Sequence, residues 1–298
     1  MVRGLKVMVK AIDLQVTLML EERGPAFKIP EVVQALSVAF RSMGKVLRTE
    51  KEMVEELRKW DVKAVVVAGG LKIFGWTNFD EIKEGNDYVG SLLQKYPDVF
   101  VGAWMFLDPD LGWKGLKELE RCIDQYGFYG VAVGGALTGV PANDKRWYPF
   151  YELCEAAKVP IKIWVGHLAY SAAMPGGEKI RLYSENPIPF VDDVAAEFPK
   201  LTIICAHHPW PFHNEMISVL IHKPNVYNEQ HGWSPKYFDE RFKRELNSRI
   251  QDKVMFGSDY PFFSYERLFN DWESQGFKPE VLEKVYWKNA ARVLNLKL

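Results

Sequence analysis

Side chains able to move protons collect at the ends of short apolar runs in this chain. His207 and His208 follow residues 201–206, Glu229 closes residues 226–229 with His231 two positions beyond, and Asp259 sits in Gly257-Ser258-Asp259-Tyr260-Pro261. Lys162 lies inside the run 160–165, two residues before Trp164. An unperturbed imidazole titrates at about 6.5, so His207 is suited to give or take a proton near neutral pH. Strand side chains alternate between faces, which puts Lys162 on the face of Trp164 and Glu229 on the face of His231. A lysine on an inward face needs an anion, because isolated charges are rarely left buried.

The elements that must position these residues repeat along the chain. Runs rich in β-branched and aromatic residues predict strands over 6–14, 62–68, 99–104, 130–133, 160–165, 201–206, 226–229 and 254–257. Helical periodicity fills the gaps at 29–47, 50–60, 79–95, 116–126, 148–158, 190–198, 211–222, 235–250 and 279–296. Eight strand-then-helix units without a break in composition predict a single domain over residues 1–298, an α/β fold of the (β/α)8 TIM-barrel type. Glycine and proline punctuate the strand ends, and in such a barrel the loops there build the active-site face.

Composition narrows the partners. Thirty-eight basic against 39 acidic residues leave a net charge of −1, without the basic excess that a nucleic acid or an anionic membrane would require. The apolar run near the N-terminus is interrupted by Asp13, Gln15 and Thr17, unlike a signal peptide. No stretch reaches the length of a membrane span. Three widely spaced cysteines, Cys122, Cys154 and Cys205, form neither a disulfide framework nor a zinc knuckle, so the expected location is the cytoplasm. The partner expected is a small molecule, with a homo-oligomer left open.

Residues 254–262, with Asn289-Ala290-Ala291-Arg292-Val293-Leu294 downstream, resemble the eighth strand and closing helix of the amidohydrolase superfamily. Residues 198–207, residues 224–227 with Gly232-Trp233, and residues 160–166 are similar to the sixth, seventh and fifth strands of its aminocarboxymuconate-semialdehyde decarboxylase branch. The resemblance implies a divalent metal held by two strand 1 histidines, a strand 5 histidine and a strand 8 aspartate, with a strand 6 histidine beside it. Here Gln15, Thr17 and Trp164 stand at three of those histidine positions, while His207 and Asp259 remain. Gln15 and Thr17 are poor zinc ligands and the indole of Trp164 has no lone pair to offer, so the expectation is a lost metal site and no cofactor. Asp259 is then the carboxylate expected to pair with Lys162.

These readings make Asp259, His207 and Lys162 the candidate catalytic residues. Trp164, Gln15, Thr17, Trp76, Trp104, Trp210, Glu229 and His231 are the candidate substrate contacts, with the tryptophans expected to stack on a flat or aromatic ligand. Residues 167–189 read as a lid in which Lys179 and Arg181 could meet a carboxylate. The leading function is metal-independent hydrolysis of a lactone, ester or thioester, with Asp259 activating water and His207 and Lys162 serving the departing oxygen. The alternatives are nonoxidative decarboxylation of an aromatic or enoic acid, with His207 protonating carbon, and a non-catalytic barrel that binds a ligand or partner.

Overall fold

A computed structural model describes residues 10–23, 28, 46–172 and 175–297. Eight parallel strands lie in sequence order: β1 (Ala11–Val16), β2 (Val62–Gly69), β3 (Phe100–Phe106), β4 (Val131–Val133), β5 (Ile161–Trp164), β6 (Ile203–Ala206), β7 (Val226–Glu229) and β8 (Val254–Met255). The ring closes through a bridge between Val16 and Tyr260 and backbone bonds from Leu14 to Phe256 (3.1 Å) and from Asp259 to Gln15 (3.0 Å). The fold is the (β/α)8 barrel that the strand count predicts. The expected helix over 29–47 and positions 6–9 of the first expected strand fall outside the described residues.

Local chemistry explains the outer layer. Helix α1 (Glu50–Lys59) begins with a reciprocal cap, in which the Thr49 side chain accepts from the Glu52 backbone and the Glu52 carboxylate accepts from Thr49 N–H. Helix α2 (Phe79–Lys95) is capped by Asn78 and turns Ile82, Val89, Leu92 and Leu93 inward, the spacing of one helical face. Helices α3 (Gly112–Tyr126), α4 (Tyr148–Ala157), α5 (Pro187–Glu197), α6 (His213–His222) and α7 (Glu240–Leu246) follow β3 to β7. Helix α8 (Tyr265–Glu273), absent from the sequence expectation, follows β8. Trp104, an expected substrate contact, is instead fully buried and donates its indole N–H to Leu14 O at 2.9 Å. No helix among the described residues is long and apolar enough to cross a membrane.

The joint between first and last strands is fastened from inside. The Asp13 carboxylate accepts from Ser258 N–H (3.0 Å), the Ser258 hydroxyl and the Tyr265 hydroxyl (2.7 Å). Burial nevertheless outweighs these donors and pushes the Asp13 carboxyl up to about 6.

Candidate active site

The C-terminal mouth of the barrel opens on a cavity of about 160 Å³, space for one aromatic ring. Phe74, Trp76, Phe106, Trp164, Tyr170 and Phe262 form its walls, with Gln15, Thr17, His207, His231 and Asp259 among its polar lining and Arg23 reaching it from the chain beyond β1. Phe106 packs on Trp164 (ring centroids 4.7 Å), and Phe74 meets Tyr170 edge-on at 5.2 Å. The Tyr170 hydroxyl donates to Ile73 O at 3.2 Å, fastening the segment after β5 across to the segment after β2. Lys179 and Arg181 of the expected lid are exposed and are not among the residues that line this cavity.

His207 and Asp259 share an unusual backbone. Both have left-handed conformations, φ +78° and +62°, which cost a residue with a Cβ about 1–2 kcal/mol. Each stands just past a strand end, where the turn aims it at the cavity. They border the same space beside Gly232, whose missing Cβ would lie 3.4 Å from Asp259 Oδ2 and 3.8 Å from His207 Nε2. Gly232 itself has φ +74°, so a side chain there would be strained as well as crowded. Burial, then the neighbouring His231 and Lys162 charges, holds the His207 imidazole well below its usual range, hence neutral. Burial raises the Asp259 carboxyl, opposed by His231, reinforced by Glu229 and opposed again by Lys162.

Lys162 points into the barrel as its parity requires, and is fully buried. Its partner differs from the expectation: the ammonium pairs with Glu229 Oε1 at 2.9 Å rather than with Asp259. It also donates to Leu14 O and Gln15 Oε1, both at 2.7 Å, so its three donors are engaged below the cavity wall. Register explains the choice. Trp164 aligns with Ala206, which aligns with Glu229; Lys162, two residues deeper on the same face, reaches up along its stem to that carboxylate. Glu229 accepts from His231 Nδ1 (2.5 Å) and from the His231 backbone N–H (3.0 Å). Although burial alone would raise Glu229, the charges of His231 and Lys162 bring it down to about 2. A carboxylate can only accept, so Glu229 holds a proton of His231 on Nδ1 and fixes the ring in place.

The other expected contacts divide clearly. Gln15, Thr17, Trp76, Trp164 and His231 line the cavity. Glu229 lies beneath it, and Trp210, 44% exposed, packs outside it, edge-on to His167 and tilted against Trp233. Trp104 and Trp210 were expected from strand-end placement alone, which does not separate a pocket wall from the core below or the rim above. Phe106, Tyr170, Phe262 and Arg23 were missed because their meeting depends on loop paths that no local pattern encodes.

Residues 61–296 match the family model described as amidohydrolase. A 2-keto-4-carboxy-3-hexenedioate hydratase of Sphingobium sp. is 29% identical over 41% of this chain and 38% of its own length, so the chain spans well under half of that relative. A gamma-resorcylate decarboxylase of Polaromonas sp. is 23% identical over 72% of the chain and 76% of the relative. Among solved structures, an uncharacterized TIM-barrel protein of Bordetella bronchiseptica superposes with TM-score 0.78 at 22% identity, covering 97% of this chain and 99% of the other. A dihydroxybenzoic acid decarboxylase of Polaromonas sp., solved with bound manganese and the inhibitor 2-nitroresorcinol, gives TM-score 0.64 at 17% identity over 97% and 98% of the two chains.

The manganese corrects the expectation that no cofactor belongs to this kind of site, because a metal centre is usual among these relatives. Among the described residues no three histidine, cysteine, aspartate or glutamate side chains are grouped to hold one. The Gln15 amide oxygen is already taken by the Lys162 ammonium, so this arrangement does not fit the three or four convergent donors of a closed site.

Proposed function

The chain belongs to the amidohydrolase family, and we propose that within it the reaction is nonoxidative decarboxylation of a small aromatic or enoic acid. The carrying observation is the convergence of His207 and Asp259, both in left-handed backbone conformations, on a ring-sized cavity with aromatic walls. The decarboxylases among the relatives support the same choice.

Asp259 is the proton donor in this reading, in place of His207. Burial holds the His207 imidazole in its neutral form, a weak acid, whereas burial shifts the Asp259 carboxyl toward the protonated form, the direction a proton donor requires. Asp259 protonates the carbon that bears the reacting carboxylate. The bond to the carboxyl carbon then breaks, its electron pair returns to the ring or alkene, carbon dioxide leaves, and Asp259 recovers a proton from water. His207 presents an acceptor nitrogen to a hydroxyl or amino group on the substrate, and Lys162 acts as a positioning residue through Glu229, which holds the His231 ring.

Hydrolysis is the second reading, favoured by the same carboxyl: once ionised, Asp259 can take a proton from water. The test is to incubate the purified protein, with manganese added, with carboxyl-labelled 2,6-dihydroxybenzoate, 5-carboxyvanillate and related hydroxybenzoates in deuterated water. Labelled carbon dioxide and one deuterium at the vacated carbon are expected, both lost in Asp259→Asn. Turnover of lactones or esters with no carbon dioxide from any acid in the panel would replace this reading by hydrolysis.

A further inference from the structure

Arg23 is the one arginine among the described residues that line the cavity. Its Nη1 donates to Glu84 O at 3.2 Å, and its guanidinium carbon lies 4.9 Å from the Tyr88 ring centroid. Tyr88 is itself fixed by its hydroxyl, which donates to Glu50 Oε1 at 2.6 Å. Among the described residues no carboxylate pairs with Arg23 within 4 Å. The seat is built at a local cost. Gly85 lies in the interior of α2, where glycine is about 1 kcal/mol worse than alanine, and an added Cβ would stand 2.6 Å from Arg23 Nη2. The glycine lets the guanidinium lie against the helix.

The position of this seat relative to His207 follows from topology. Helix α2 follows β2, and β2 and β6 are four places apart in an eight-strand ring, so Arg23 lies on the opposite side of the mouth from His207. A half-buried arginine that feels the Glu84 charge but forms no ion pair within 4 Å among the described residues, and that faces an apolar cavity, is suited to receive a carboxylate. We propose that Arg23 binds a carboxylate of the substrate that is retained through the reaction, so that the natural substrate is an acid with a second functional group directed at Asp259. This rests on the reading of the cavity as the substrate site.

Trp76 and Trp164 line the cavity, so binding can be read by tryptophan fluorescence without turnover. The probes are benzoate and its neutral isostere benzamide. Wild type is expected to bind benzoate at least about tenfold more tightly than benzamide, the discrimination a charge-assisted hydrogen-bonded pair supplies. Arg23→Gln should erase that preference while leaving benzamide unchanged. Gly85→Ala, which improves the helix while pushing the guanidinium off its seat, should do the same and guards against a folding artefact. A preference for benzoate that survives in both variants would overturn the role of Arg23, as would equal binding of the two probes by wild type, and either result leaves the decarboxylase reading standing. Failure of wild type to bind either probe would overturn both.

Discussion

Two buried glutamates show how differently the barrel interior and the layer above it treat the same side chain. Glu229 on β7 and Glu185, in the segment between β5 and α5, are both shut away from water, at 0% and 1% exposure. Glu229 faces an ammonium and an imidazole and is driven down to about 2. Glu185 has one backbone donor, Ala136 N–H at 2.7 Å, and burial pushes it up to about 8. Its other oxygen has no hydrogen-bond partner among the described residues. Burial pushes both carboxyls toward the neutral form; the charges placed beside them decide which one stays an anion.

Removing the cation beside Glu229 should give the largest effect. Lys162→Met leaves that carboxylate without its ammonium and should cost about 3 to 5 kcal/mol in urea denaturation, with turnover lowered as Glu229, and the His231 ring it holds, lose the cation that positions them. Adding Glu229→Gln should recover part of the stability. A loss under about 1 kcal/mol in the single variant would show that the pair contributes little and collapse the contrast with Glu185.

Glu185 sharpens the comparison through pH. Its folded pKa is raised, so the folded state binds more protons than the unfolded state between about 4.5 and 8, and stability falls as pH rises through that window before levelling off above it. Glu185→Gln should remove this slope, so that the difference from wild type grows to a few kcal/mol at pH 9. Parallel pH profiles for the two proteins would mean that Glu185 does not titrate in that window.

The smallest expected effect concerns a third buried carboxylate, intermediate between those two. Tyr265→Phe deletes one of the donors to Asp13 and should cost about 1.5 to 3 kcal/mol at pH 7, because Asp13 retains the Ser258 donors. Its carboxyl should rise further above about 6. An Asp13 titration unchanged by the substitution, followed by carboxyl-selective NMR, would remove the hydroxyl from the account.

The same three carboxylates mark how far the sequence could be read. Alternation along 160–165 was enough to turn Lys162 inward, and the short apolar runs fixed the strand order. Partner choice was not available from parity, because it depends on how far each strand is staggered around the ring; Glu229 falls level with Trp164 only through the register of β5, β6 and β7. Asp13 showed in the sequence only as an interruption of the first apolar run, because its partners Ser258 and Tyr265 lie about 250 positions away. Glu185 and Arg23 carried no periodic signal, since the first lies in a loop-like segment and the second in a turn. Cofactor chemistry was the least legible layer, because counting substituted ligand positions says what a site lacks and nothing of how its relatives operate.

The Asp13 fastening also bears on how the chain is made. Its partner Ser258 is 245 positions downstream, and β8 is the last of the eight strands to leave the ribosome. Until then β1 and β7 are open parallel edges with unpaired backbone groups, the kind of surface that recruits other strands, and the Asp13 carboxylate must stay hydrated rather than clasped. Closure is therefore a late, long-range event with a high entropic cost. Synthesis paused before residue 258 should yield a nascent chain that a strand-binding chaperone retains, and release should coincide with the arrival of Ser258 and Tyr265.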